Sequence, residues 1–155
     1  RAMNTGTGFS PDIEAEMKKV KEADVILFNF PLHWSAPPAI VTGWMERVLA
    51  MGFAWDTDNK YKTGLMKGKK ALVVATVGDP ESYYSPDGMH RATVHQHLYP
   101  LLHSTLAYCG FDVYEPIILL NAIASSQDEK DNDVLEYGKL LESIETWDDY
   151  IYKHA

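Results

Sequence analysis

Three short apolar runs punctuate the chain: Val25 to Phe30 (VILFNF), Ala71 to Thr76 (ALVVAT) and Asp112 to Leu120 (DVYEPIILL). Long segments with apolar residues at helical spacing separate them. The first two runs do not alternate polar with apolar, so each reads as a strand covered on both faces. Strands that alternate with helices pair in parallel, because each crossover helix packs back onto the sheet. The order α-β-α-β-α-β-α therefore specifies a doubly wound parallel sheet in a three-layer α/β/α domain.

The helices carry their own signals. Ser10-Pro11-Asp12 opens the first: serine suits the cap, proline the first turn, and Asp12 and Glu14 complement the dipole. It is expected to run to about Ala23. A second starts near Pro38, places Ile40, Val41, Trp44, Met45, Val48 and Leu49 on one stripe, and ends near Gly52. A third covers about Ala92 to Cys109, buries Val94, Leu98, Leu101, Leu102 and Leu106, and is kinked at Pro100. The last, about Gln127 to Tyr152, is expected to bury Val134, Tyr137, Leu141, Ile144 and Ile151. Two long loops remain, Gly52 to Lys69 and Val77 to about Arg91. Loops of that length in a compact domain are usually functional or cover something.

Length and charge narrow the functional classes. The 155 residues make one domain, 1–155, and the net charge of −8 argues against a nucleic-acid partner. The single cysteine, Cys109, leaves no internal disulfide and fits a reducing, cytoplasmic setting. No apolar stretch approaches the ~20 residues of a membrane span. His95, His97 and His103 are poorly spaced for a metal, since residues two apart on a helix point to different faces; none is expected. The chain opens at Arg1 on a loop-like stretch, RAMNTGTGF, and has three strands where such sheets have about five or six. A β-α-β segment is therefore expected before residue 1. Without it the sheet is expected to lie open on one side and to bind its ligand poorly.

Open α/β sheets bind ligands outside the carboxyl ends of their strands. Here those ends carry Pro31 to Pro38 (PLHWSAPP), Thr76-Val77-Gly78-Asp79, and Asn121-Ala122. Prolines stiffen the first loop and remove N–H donors. The N–H groups left, at Leu32, His33, Trp34 and Ser35, are available to a flat polar edge, with Trp34 as an apolar wall. Gly78 permits a second backbone strip to come close. This suits a planar heteroaromatic ring with a polar rim. Flavin is one such ring, and the loops alone do not separate it from another nucleotide.

One long motif goes further. KEADVILFNFPLHWSAPPAIVTGWMERVLAMGFAWD, Lys21 to Asp56, resembles the flavodoxin-like NAD(P)H quinone reductases, which include the mammalian enzymes and ancillary subunits of bacterial potassium efflux systems. The pattern is F-x-x-P-L-x-W, then P-A-x-x-x-G-W-x-[DE]-R-V, then G-F-A. The likeness continues through Gly68 to Ala71, Thr76, Gly78, Tyr84, Gly88, His90, Pro100, Cys109 to Phe111 and Glu115-Pro116, so it spans nearly everything from Ser10 on.

The resemblance implies a flavodoxin-like fold and a flavin, FMN or FAD. The ring would be held by Pro31, Leu32, His33, Trp34 and Ser35 on one side and Thr76, Val77, Gly78 and Asp79 on the other. It implies ping-pong hydride transfer from NAD(P)H through flavin N5 to a quinone or similar acceptor, with Tyr84 and His90 as the catalytic pair. It implies a homodimer, in which Trp55, Thr57 and Tyr108 roof the partner's site. The alternatives within this likeness are an ancillary subunit of a potassium efflux system and a flavodoxin-type electron carrier. The sequence departs from the pattern in two places: Thr76 to Asp79 replaces a usual T-T-G-G, and Ser35 stands where several members have an aromatic.

Overall fold

The structure is a computed structural model and describes residues 8–144 and 146. Its elements are α1 (Pro11–Glu22), β1 (Val25–Pro31), α2 (Ala39–Val48), β2 (Lys70–Thr76), α3 (Val94–Leu101), β3 (Asp112–Val113), β4 (Ile117–Leu119) and α4 (Gln127–Glu142). Single 3₁₀ turns occur at Tyr61–Thr63 and Glu81–Tyr83 in the two long loops.

β2 is the centre of the sheet. β1 pairs with it in parallel from Val25↔Lys70 to Pro31↔Thr76, and β3 and β4 pair in parallel along its other edge. The third apolar run is thus two short strands rather than one. They part at Tyr114-Glu115-Pro116, where Pro116 has no N–H for the ladder. All strand carboxyl ends meet at one edge of the sheet.

Successive residues of β2 serve opposite faces. Ala71, Val73 and Ala75 join Ile13, Met17 and Val20 of α1, Met45 and Val48 of α2, and Leu98 of α3. Leu72 and Val74 join Tyr114, against which Tyr137, Leu141 and Ile144 pack. Helices therefore flank both faces, as the alternation of elements requires. β1 does not behave as its composition indicated. Phe28 and Phe30 are buried, but the alternating Leu27 and Asn29 are exposed, so only one of its faces is covered, and its outer edge has no strand partner among the described residues.

Local chemistry sets the helix limits. Thr93 and Gln96 form a reciprocal capping box that starts α3 at Val94, and Ser126 and Glu129 do the same for α4. Ser10 sits at the cap of α1 in extended conformation, yet its side chain accepts no helix N–H. The other end of α1 is closed by the Lys69 ammonium, which donates to the carbonyls of Lys21 and Ala23, both at 2.7 Å. Pro100 does not simply kink the third helix. After Leu101 the chain continues as a π-helix from Leu102 to Ala107, and the Thr105 hydroxyl donates to the Pro100 carbonyl at 3.0 Å.

Two expected core positions are solvent-facing: Ile40 is 83% exposed and Val134 is 64% exposed. α4 has no fully buried residue, and Ile151 lies outside the described residues. Trp44 is half-buried. Its ring meets Phe28 edge-on at 5.8 Å and its indole N–H donates to Glu16 at 3.0 Å, joining α2 to α1.

Cys109 is buried, and burial pushes its thiol up to about 12. A thiol that stays protonated is a poor nucleophile. The folded chain is expected to resist iodoacetamide at pH 8, with labelling appearing in step with urea unfolding. Rapid native labelling would contradict this packing.

Candidate active site

The loop after β1 turns in two residues. The His33 N–H donates to the Ala36 carbonyl at 2.9 Å and the Ala36 N–H donates back at 3.0 Å. Trp34 (φ +52°) and Ser35 (φ +60°) form the turn, both left-handed, the pattern of a type I′ hairpin without glycine or asparagine. Left-handed backbone costs an ordinary residue roughly 1–2 kcal/mol. The result is a tryptophan held 100% exposed at the carboxyl edge of the sheet. Arg91 and Asn121, in the neighbouring loops, are left-handed as well. Such outliers gather at functional sites more than elsewhere.

The fold consumes part of the expected donor set. The Leu32 N–H donates to Thr76 at 2.9 Å, which ties β1's exit to β2's end, and the His33 N–H serves the turn. The Val77 N–H donates to Leu119 at 2.8 Å. Those of Trp34, Ser35, Gly78 and Asp79 have no hydrogen bond among the described residues. The carbonyls of Val77, Gly78 and Asp79 accept from Ala122, Ile123 and Asn121 respectively. The third strand-end loop thus fixes the second one and leaves the N–H groups of Gly78 and Asp79 free. Over Gly78 stands the Ile123 side chain, whose Cδ1 would lie 2.7 Å from a Cβ there. The close approach that glycine allows is made by that flexible side chain. Pro31 is exposed at the end of β1, and Thr76 closes β2 opposite it.

Tyr84 and His90 come together. The His90 N–H donates to the Tyr83 carbonyl at 3.0 Å, and the intervening Gly88 lies so close that a Cβ would meet that same oxygen at 2.4 Å. This tight turn stacks the Tyr84 ring on the His90 imidazole, centroids 4.3 Å apart and 20° from parallel. His90 Nε2 lies 3.0 Å from Asp79 Oδ2. Asp79, expected to face a ligand, spends its carboxylate on His90. Burial, and secondarily the Asp79 charge, hold the Tyr84 phenol above its usual range, so it stays a hydrogen-bond donor at neutral pH.

Trp55 and Tyr108 also meet, at 5.6 Å edge-to-face, with the Trp55 N–H donating to Leu49 at 3.1 Å. They line a separate cleft of about 470 Å³ with Met45, Glu46, Ser104 and Thr105. No residue of the Trp34 turn or of the Val77–Asp79 strip lines it, and Thr57 stands exposed outside it.

Sequence reasoning missed His97. It lies on α3 with its ring edge-on to Tyr84 at 5.9 Å and to His90 at 6.3 Å. Burial, then the neighbouring His90, hold it below the ordinary histidine range. The folded chain therefore binds fewer protons there than the unfolded one. Its contribution to stability is present above about pH 6.5 and is lost as pH falls through the unfolded value toward the folded one. Melting temperature is expected to drop between pH 7 and pH 5.5, before the carboxylates titrate, and to drop less in His97→Phe.

An open parallel α/β sheet with helices on both faces, whose ligands bind at the carboxyl edge of the strands, is the doubly wound class of domain. The sequence pattern described as "Flavodoxin-like fold" matches residues 2–141, and the chain belongs to that family. It is 42% identical over 133 residues to a mouse ribosyldihydronicotinamide dehydrogenase [quinone], covering 86% of this chain and 57% of that one. A Klebsiella pneumoniae protein described as a quinone reductase superposes with a TM-score of 0.82 at 32% identity, covering 90% of this chain and 56% of that one. The general stress protein 14 of Treponema denticola, solved in complex with FMN, gives 0.73 at 25% identity over 90% of this chain and 75% of that one. The chain thus spans a little over half of the first two. Among the described residues no helix is long and apolar enough to cross a membrane.

Proposed function

We propose that this chain forms the ring-binding and proton-handling part of a flavin-dependent NAD(P)H oxidoreductase that reduces quinones or similar two-electron acceptors. The observation that carries this reading is the convergence, at one sheet edge, of the unbonded N–H groups of Trp34, Ser35, Gly78 and Asp79 with the stacked Tyr84–His90 pair. Backbone donors from two loops fit the polar rim of a planar ring, and Trp34 supplies an apolar surface beside them.

Bound there, flavin would accept and deliver hydride, taking it from NAD(P)H and passing it to the acceptor in turn. The chain's own part is positional and electrostatic. The N–H groups of Gly78 and Asp79 would orient the ring. The Tyr84 hydroxyl would donate to negative charge that builds at its edge, and His90, oriented by Asp79, would hold the proton that balances it. The protein is proposed to be cytoplasmic and to work as a homodimer, the cleft at Trp55 and Tyr108 contributing to the partner's site.

The test is an anaerobic titration of the full chain with FMN or FAD present. Addition of NADPH is expected to bleach the bound flavin bands at once, and a quinone to restore them. Because the open sheet is expected to bind its ligand poorly, the flavin is supplied in large excess, and failure to take up either flavin even then overturns the reading.

A further inference from the structure

His97 Nε2 is buried and has no hydrogen-bond partner among the described residues. Unpaired polar atoms in a protein interior are rare and call for an explanation. The rings around it supply one. Tyr84 and His90 lie nearly flat on each other, and the His97 ring stands at 87° to the first and 89° to the second. One imidazole thus stands perpendicular to both members of the pair and within about 6 Å of each.

The charged surroundings are one-sided. From the loop after β2, His97 faces Tyr84 and His90, with the Asp79 carboxylate beyond His90 and already bonded to it. Tyr83 reaches His90 from the same loop at 6.3 Å. On α3 itself, His95 is engaged by Glu115 at 2.6 Å. Farther along, His103 stacks on Tyr99. No carboxylate bonds His97 among the described residues. A proton there would add a buried positive charge beside a second imidazole with nothing to offset it.

We propose that His97 is a positioning residue for the Tyr84–His90 pair: its ring is the wedge that sets the stack, and a proton taken up there releases it. The role rests on the proposed function only in making that pair the proton-handling end of the site. The wedge contact itself stands on the ring geometry. At neutral pH the wedge is in place. As pH falls, protonated His97 turns toward water and the pair loses its edge support. Turnover is then expected to fall on the acid side through kcat rather than KM.

The experiment uses the full chain with ¹³C-labelled histidine and tyrosine, titrated by NMR from pH 8 to pH 5 without flavin. The Tyr84 and His90 ring signals are expected to share a step with His97's own titration, below the ordinary histidine midpoint. In His97→Phe, a ring that cannot titrate, that step should vanish while the neutral-pH positions hold. In His97→Ala those positions should move at every pH. Tyr84 and His90 signals indifferent to the His97 step in the unaltered chain, which needs no variant to fold, overturn the proposal. With FMN and NADPH supplied, the acid limb of kcat is expected to change in His97→Phe; an acid limb identical to that of the unaltered chain also overturns the proposal. A clear NMR step in a chain that oxidises no NADPH at any pH supports the wedge and strikes at the functional reading instead.

Discussion

A chain carrying both Tyr84→Phe and His90→Gln is expected to turn over NADPH and quinone about 10²–10³-fold more slowly than the unaltered chain, with KM for the quinone little changed. The reason lies in when these groups matter. A donor aimed at charge that develops only in the transition state lowers the barrier without tightening the ground state, so its loss appears in kcat. The stacked geometry makes the two losses non-additive. A phenyl ring in place of the phenol still packs on the imidazole, so Tyr84→Phe alone removes only the hydroxyl. His90→Gln alone replaces the imidazole that lies 3.0 Å from the Asp79 carboxylate with a flexible amide. Each single variant is expected to lose a large part of what the double variant loses. Stopped-flow measurement of the two half-reactions locates the loss. A double variant within threefold of the unaltered rate removes Tyr84 and His90 from the chemistry.

Gly64→Ala is expected to destabilise the fold by about 3 kcal/mol, the upper end of the range for overpacking. A Cβ at Gly64 would stand 2.3 Å from the Cys109 carbonyl oxygen, 2.4 Å from its carbon and 2.5 Å from the Gly110 nitrogen. All three are backbone atoms, which cannot swing aside as a side chain does. The contact is reciprocal, since a Cβ on Gly110 (φ +97°) would meet the Gly64 Cα at 2.7 Å. Next to this crossing, the Met66 N–H donates to Cys109 at 2.9 Å. Forcing the chains apart loosens the loop after α2 from the end of the π-helix and opens the wall behind Trp55 and Tyr108. In urea the midpoint should fall at unchanged slope, and melting should drop by about 6–12 °C for a chain of this size. A loss below about 0.5 kcal/mol would mean that the crossing yields without cost.

The layers and the parallel pairing were legible in sequence because they follow from the alternation of apolar runs with helical stripes. Details failed where local signals were silent. Nothing in Trp34-Ser35 advertises two left-handed residues, since the usual glycine or asparagine is absent. The hairpin that consumes the His33 N–H was therefore invisible, and so was the tie from Leu32 to Thr76. A stripe tells which residues share a helix face and not whether another element meets it; hence Val134 is exposed while Tyr137 and Leu141 are covered. The two-sided burial read into β1 failed for the same reason, because composition does not say what lies over each face. Tyr84 and His90 were found by family likeness, and their stacking depends on a turn at Gly88 that spacing does not encode. In sequence His97 reads only as one of three helix histidines, and spacing does not show the loop it touches.

The π-helix from Leu102 to Ala107 is most simply understood as one residue more than an α-helix needs over the same span. Each residue turns an α-helix by about 100°. Deleting one residue there would let the segment relax to α geometry while rotating everything upstream relative to everything downstream by that angle. Val94, Leu98 and Leu101 could keep their seats in the core only if Tyr108 and Cys109 lost theirs, and the reverse holds as well. The extra residue therefore works as a phase adjuster. It lets one continuous rod present His97 to one loop and Tyr108 to another, so the placement of the helix's two ends is coupled through that one residue.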